Sequence, residues 1–335
     1  MMKRIAIIGD GAWGTALALL LRAKGFNIVI WGNFPDYIEE QRERRENFKF
    51  LPGVEIPRDI GYTANFTEAA EKADLLICAV PAQFIRDVFQ RFVPHYPRGV
   101  PVVSVAKGIE QKTLKRCTEV LEEFLEGAPL AALSGPSHAE EVARNIPTAV
   151  VIASHDPQLS RLLQDTFMTT SFRVYTQDDV VGVELGGALK NVIALAAGMS
   201  DGLGYGDNSK SALLTRGLVE MSRLGVAAGA KRLTFSGLSG IGDLMTTSFS
   251  RHSRNRALGE KIGQGLSLRE VLESTEKVAE GVWTTTSSRE LAQKLGVEVP
   301  IFEEVYKVLF KGKDCRQAVI DLMTRGKKEE MEDLE

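Results

Sequence analysis

Cysteine and histidine are scarce in this chain. Cys78, Cys117 and Cys315 are the only cysteines in 335 residues, an odd number spread far apart. A disulfide framework is therefore excluded, and reduced, buried thiols in a reducing, cytoplasmic compartment are expected. The four histidines, His95, His138, His155 and His252, show no metal-ligand spacing, so no metal is expected. No stretch reads as both long enough and charge-free enough to span a membrane. Lys3-Arg4 and the apolar residues after them have the outline of a signal peptide. Gly9, Asp10, Gly11 and Gly14 interrupt that run, and no small-residue cleavage site follows. Neither charge sign dominates: 41 Lys and Arg stand against 44 Asp and Glu, for a net charge of -3. That balance gives no reason to expect a nucleic-acid or membrane partner. There is no internal repeat.

What the chain has in abundance is alternation. Arg4–Ile8, Asn27–Trp31, Leu75–Val80, Val102–Val105, Leu130–Leu133 and Ala149–Ala153 are short, nearly continuous apolar runs. Such runs fit strands buried on both faces, as in a parallel sheet. Ala12–Lys24, Glu39–Lys49 and Thr113–Leu125 read as the helices between them, giving βαβ units. After about residue 180 strand signals stop. Helical patterns take over at Gly182–Met199, Leu213–Ala228, Arg254–Ile262, Leu268–Leu272, Thr284–Lys294 and Ile301–Leu309. The expected architecture is an α/β Rossmann domain with a mainly parallel, doubly wound sheet over 1–180, and an all-α domain over 181–326. A charged tail, 327–335, is expected to fray.

Gly9-Asp-Gly11-Ala12-Trp13-Gly14 follows the first strand and opens the first helix, the context that makes G-x-G-x-x-G a dinucleotide fingerprint. The first glycine permits a tight turn, the second lets backbone approach a pyrophosphate, and the third brings helix and strand together. Phosphate would then meet the free N–H groups of the helix N-terminus. At the end of the second strand, where NAD-specific folds carry Asp or Glu, stands Asn33. A neutral side chain does not repel a 2′-phosphate. Arg42, Arg44 and Arg45 follow in the next helix, either as a solvated face or as partners for that phosphate. NADP(H), or both NADP(H) and NAD(H), is the expected cofactor.

Lys190 is the most informative single residue. It interrupts the apolar helix Glu184–Ala197, and positions 186, 187, 194 and 197 on its face are Gly or Ala. Two readings stay open: an ammonium snorkelling to water, or one presented on a face kept small for a close-approaching ligand. Lys107, in Val105-Ala-Lys-Gly108, follows a strand end, where ligands of open α/β sheets bind. Ser137 and Glu140 have capping-box spacing at another strand–helix junction. Ser236–Gly242 is glycine-rich enough to form an anion nest. Asp243 follows it, and Ser253-Arg254-Asn255-Arg256 adds bidentate donors. A plain polar helix start with solvated arginines is the competing reading of that last run.

Taken together and in order, several of these motifs resemble the bacterial glycerol-3-phosphate dehydrogenase [NAD(P)+] family. They are Gly9–Ala16, Ala106-Lys107-Gly108, Ser134-Gly-Pro-Ser137, Glu184–Asn191, Gly242-Asp243-Leu244, Ser253–Arg256 and Val278-Ala-Glu280-Gly281. The likeness spans essentially the whole chain. It implies a helical domain of the 6-phosphogluconate dehydrogenase C-terminal type. It implies dihydroxyacetone phosphate and sn-glycerol 3-phosphate as substrate pair, no metal, and a homodimer. Lys190 is implied as general acid/base, Lys107 as a contact to substrate and nicotinamide, and Asp243 as their companion. Gly135, Ser137, Asn191, Ser253, Arg254 and Asn255 are implied around the substrate. Ala12, Trp13, Asn33, Ala139, Val278 and Glu280, with Arg254, are implied around the cofactor. Another two-domain dehydrogenase of the 6-phosphogluconate or 3-hydroxyacid type, and a dinucleotide-sensing regulator without turnover, are the alternatives.

Overall fold

The computed structural model describes residues 2–274, 279–327, 329 and 330. Val278 and most of the tail therefore lie outside the described residues. The chain divides into two compact units. The first comprises Met1–Ala106 and Cys117–Val180, the second Lys107–Arg116 and Val181–Glu335. The division departs from a contiguous 1–180 unit at Lys107–Arg116.

The first unit is built on strands β1 (Arg4–Ile8), β2 (Asn27–Trp31), β3 (Glu46–Asn47), β4 (Leu51–Glu55), β5 (Gly61–Thr63), β6 (Leu75–Cys78), β7 (Val102–Ser104), β8 (Leu130–Ser134), β9 (Thr148–Ala153) and β10 (Phe172–Gln177). Eight of them form one sheet in the order β10-β9-β8-β7-β6-β1-β2-β5. Neighbours run parallel except β8 and β9, which pair antiparallel. The sheet explains the continuous apolar runs. Ile5, Ile7, Ile28, Ile30 and Ile77 fill a core on one face, and Ala6, Ile8, Val29, Trp31 and Cys78 fill a core on the other. Successive residues of a strand point to opposite faces, so both must be apolar. The helices are α1 (Ala12–Ala23), α2 (Pro35–Arg44), α3 (Phe66–Ala70), α4 (Ile85–Phe92), α5 (Cys117–Phe124), α6 (Ala139–Val142) and α7 (Pro157–Phe167).

Two expected helices are shorter than their patterns. The run Glu39–Lys49 stops helically at Arg44, because Arg45 turns left-handed at φ 55° and caps α2. The chain then enters the β3–β4 ribbon. Buried Asn47 ties that ribbon to α1, donating to Thr15 Oγ1 at 2.7 Å and accepting from the Tyr37 hydroxyl at 2.7 Å. The run Thr113–Leu125 becomes helical only at Cys117. Lys112 and Leu114 adopt φ 69° and 60°, values no helix accommodates.

Among its described residues the second unit has no strand, only an isolated bridge between Ile109 and Arg116. It contains α8 (Val180–Gly202), α9 (Asp207–Ala227), α10 (Asp243–Phe249), α11 (Arg254–Gly263), α12 (Leu268–Glu273), α13 (Glu280–Leu295), α14 (Pro300–Lys311) and α15 (Cys315–Met323). Contrary to the sequence expectation, α8, with 23 residues, is long and apolar enough to cross a membrane: an 18-residue stretch of it has a mean hydropathy of 1.5. It is instead the central post of this unit, buried almost throughout. Leu185, Leu189, Val192, Ile193 and Leu195 anchor the helical core. Two glycine pairs bring α8 and α11 backbone to backbone. A Cβ at Gly198 or Gly202 would collide with the carbonyls of Arg256 or Glu260, and one at Gly259 or Gly263 with those of Leu195 or Met199.

Candidate active site

In the first unit the site begins at β1. This strand lies between β2 and β6, where the order of the sheet reverses, so the loop after it opens on the crevice typical of ligand sites. Gly9 has φ +123°, and a Cβ there would lie 2.6 Å from the Ala79 carbonyl oxygen. Gly14 has no room for a Cβ against the Gly9 carbonyl. At Gly11 a Cβ would meet nothing within 4 Å. Gly11 is also the N-cap of α1 and brings no side-chain cap to the first helix N–H groups. The indole Nε1 of Trp13 in the first turn is buried without a hydrogen-bond partner. These features fit a dinucleotide pyrophosphate, whose charge the helix N-terminus favours.

Asn33 lies at the end of β2. The three arginines expected near it are engaged elsewhere. Arg42 pairs with Glu39 at 3.4 Å, Arg44 pairs with Glu40 at 3.9 Å, and Arg45 donates to the Ile60 carbonyl at 3.1 Å. The arginine that does reach Asn33 is Arg91 of α4, with Nη2 2.7 Å from Oδ1. Asp10 lies behind the end of β2 too. Its carboxylate accepts from Gln41 Nε2 at 3.0 Å, and burial raises its pKa.

Gly135 (φ +135°), Ser137 and Ala139 follow β8. The capping box expected of Ser137 and Glu140 does not form. The N-cap of α6 is His138, one residue later, and the Ser137 hydroxyl donates to the Gly135 carbonyl at 3.0 Å.

The second unit holds the titratable centre. Asp243, the first residue of α10, is 2% exposed and lies between two ammonium groups. Its Oδ2 is 2.7 Å from Lys107 Nζ and its Oδ1 3.2 Å from Lys190 Nζ. Lys190 also donates to Thr247 Oγ1 at 2.7 Å, and the Thr247 hydroxyl lies 3.2 Å from Asp243 Oδ1. Lys190 is 5% exposed. Burial pushes its pKa down to about 8, Lys107 adds to that, and Asp243 and Glu280 oppose it. Burial alone would raise the Asp243 pKa, but Lys107 and Lys190 outweigh it and hold the group below its usual value. Lys190 therefore does not snorkel to water; it meets a carboxylate.

Three positions of the small face around Lys190, Gly186, Ala194 and Ala197, are taken up by packing within the helical unit. A Cβ at Gly186 would lie 2.5 Å from the Ser239 carbonyl oxygen, and Ala194 and Ala197 are fully buried. The anion nest expected over Ser236–Gly242 is likewise occupied from within. The N–H groups of Gly240 and Gly242 both donate to the Gly237 carbonyl, each at 3.2 Å. What remains open to an anion is the start of α11. Ser253 Oγ caps it by accepting from the Arg256 N–H at 3.2 Å. Half-buried Arg254 makes no ion pair with any described residue. Arg256 is spent on Asp201 at 2.7 Å.

Asn191 and Asn255 form a chain of amides. Asn191 Nδ2 donates to the Lys107 carbonyl at 3.3 Å, Asn255 Nδ2 donates to Asn191 Oδ1 at 2.9 Å, and the Gly281 N–H donates to Asn255 Oδ1 at 3.0 Å. The second unit thus brings together Lys107, Lys190, Asn191, Asp243, Asn255 and the segment that begins with Glu280. Gly9, Gly11, Ala12, Trp13, Gly14, Asn33, Gly135, Ser137 and Ala139 belong to the first unit. Thr247 escaped the sequence reading. Its signal was the i, i+4 spacing from Asp243, legible only once α10 is known to be a helix.

Comparison with known proteins identifies the family of the chain. The model of the NAD-dependent glycerol-3-phosphate dehydrogenase N-terminus matches residues 4–160, and that of the C-terminus matches residues 179–320. A glycerol-3-phosphate dehydrogenase [NAD(P)+] of Pelotomaculum thermopropionicum is 51% identical, over 100% of this chain and 97% of that protein. Its namesake in Geobacillus kaustophilus is 52% identical, over 99% and 98%. The crystal structure of glycerol-3-phosphate dehydrogenase from Coxiella burnetii superposes with a TM-score of 0.94 at 37% identity, covering 97% of this chain and 99% of that one. A glycine fingerprint on a sheet switch point, a lysine–aspartate–lysine centre in a helical unit and full-length likeness together place this chain in the NAD-dependent glycerol-3-phosphate dehydrogenase family.

Proposed function

We propose that this chain catalyses the reversible reduction of dihydroxyacetone phosphate to sn-glycerol 3-phosphate with NADPH or NADH. The observation that carries the reading is the buried Lys190, held against Asp243 with a pKa near 8. Bound NAD(P)H supplies the hydride to the carbonyl carbon. As negative charge develops on the carbonyl oxygen, Lys190 Nζ stabilises it and donates a proton. In the opposite direction the neutral amine accepts the hydroxyl proton. A lysine at its ordinary pKa of about 10.4 would be a poor base near neutrality, so its burial is what makes both directions accessible.

Asp243 keeps Lys190 from losing its proton outright and holds Lys107 beside it. Lys107 supplies a second cation to the substrate and contacts the nicotinamide. Arg254, unspent at the N-terminus of α11, takes the phosphate with Ser253 and Asn255, so that remote binding energy is used for positioning. Gly135, Ser137 and Asn191 complete the substrate contacts. The Gly11 turn and the first N–H groups of α1 hold the pyrophosphate, with Ala12, Trp13, Asn33, Ala139, Arg254, Val278 and Glu280 along the rest of the cofactor. The chain works as a cytoplasmic homodimer, without nucleic-acid or membrane partners, and its product feeds glycerophospholipid synthesis. Loss of NADPH absorbance on adding dihydroxyacetone phosphate tests the reaction. A purified protein that binds NADPH and leaves it unoxidised with this substrate refutes it.

A further inference from the structure

The arginine on Asn33 comes from an element that no fingerprint covers. Arg91 sits in the last turn of α4, and three contacts fix its guanidinium. Nη2 donates to Asn33 Oδ1 at 2.7 Å, Nε donates to the Asp87 carbonyl at 3.3 Å, and the group lies 5.6 Å from the centre of the Phe66 ring. Phe66 in turn stacks on Trp31 at 4.4 Å, and Trp31 is the last residue of β2. The cation is thus braced against the strand whose end receives the adenosine ribose in this class of fold. Arg91 makes no ion pair with any described residue. An arginine held by neutral acceptors, with its charge unanswered, is matched to a dianion.

We infer that Arg91, positioned by Asn33, binds the 2′-phosphate of NADP(H) and sets the preference of this chain for the phosphorylated cofactor. The inference rests on the proposed dehydrogenase reading and adds to it a residue and a direction of preference. Asn33 acts here as a bracket. Its Oδ1 accepts from the arginine, which leaves its Nδ2 as a second, neutral donor to the same phosphate. A carboxylate at position 33 would neutralise Arg91 and repel the 2′-phosphate together.

The test is equilibrium binding to the full-length protein, by calorimetry, of adenosine 2′,5′-bisphosphate and of AMP, which differ only in the 2′-phosphate. Arg91→Gln should weaken the bisphosphate about 10–150-fold, the scale of a charge-assisted hydrogen bond, and leave AMP within about twofold. Arg91→Lys should fall between, since it keeps the charge and loses the fork. The wild-type preference for the bisphosphate should also shrink as salt rises. Equal weakening of both ligands, or no change in either, overturns the role of Arg91 and leaves the reductase reading standing if NADPH still binds. A wild-type protein that binds neither NADPH nor NADH overturns both.

Discussion

Replacing Asp243 with Asn should move the pH dependence of catalysis downward. The carboxylate lies 3.2 Å from Lys190 Nζ, a bare attraction of about 5 kcal/mol at an effective dielectric of about 20. Relaxation and neighbouring dipoles reduce that, and an opposite charge at such range shifts a pKa by about 1–3 units. Removing it leaves burial and the Lys107 charge, both of which lower the Lys190 pKa. The group should fall from about 8 to roughly 5–7. Reduction requires the protonated amine, so the activity is present below this pKa and lost as pH rises through it. At pH 7 the protonated fraction should drop from about nine-tenths to somewhere between a half and about a hundredth. The assay is kcat/KM for dihydroxyacetone phosphate across pH, which reports groups of the free enzyme. The wild type should decline above pH 8 or so, and Asp243→Asn about 1–3 units lower. Oxidation of glycerol 3-phosphate should show the mirror image, rising with pH through the same midpoints. If Asp243→Asn lowers the whole profile without moving its midpoint, the aspartate does not tune the lysine and the argument fails.

Lys190→Ala should cut turnover by at least about a hundredfold while NADPH still quenches protein fluorescence, since general acid/base groups contribute about 10²–10⁴-fold. Arg254→Ala should raise KM for dihydroxyacetone phosphate about 10–150-fold and spare unphosphorylated dihydroxyacetone; equal losses on both would remove the phosphate role. Gly259→Ala drives a Cβ into the Leu195 carbonyl and should destabilise the helical unit by about 1–3 kcal/mol, read as a lower denaturant midpoint. Glu220 accepts the Ile301 N–H at 2.9 Å, and burial pushes its pKa up to about 8. Its contribution to stability is complete below the unfolded pKa of about 4.3 and is lost as pH rises through the folded value. Chemical denaturation of Glu220→Gln should therefore show a flatter pH dependence between about pH 4.5 and 8 than the wild type.

Much of the first unit was legible because strands buried on both faces leave a plain trace. The runs at Arg4–Ile8 and Asn27–Trp31 became β1 and β2 without change. The edge strands were not legible in the same way. In β10, Phe172 and Val174 are buried while Arg173 and Tyr175 are exposed, so the apolar run is broken, and β5 has three residues. The two lysines and the aspartate proposed as catalytic could be chosen from their surroundings, but their mutual contact could not. Lys107 meets Asp243 across 136 positions of sequence. Arg91 was missed because its role depends on an α4 side chain meeting the end of β2, and no local pattern encodes that meeting. Arg42, Arg44 and Arg45 were nearer in sequence, yet Arg42 and Arg44 pair within one helical turn and Arg45 reaches past the β3–β4 ribbon to Ile60.

The burial of α8 has a consequence for the chain before it is folded. A newly made, predominantly apolar segment of 23 residues offers a lipid bilayer much the same surface as it offers its own core. Lys190 lies next to its midpoint, and a lysine at the centre of a helix opposes membrane insertion by about 2.5–3.5 kcal/mol. Inside the folded protein Asp243 answers that charge; inside a bilayer nothing would. The ammonium proposed to move the proton thus also marks this helix as one to be buried in protein rather than in lipid.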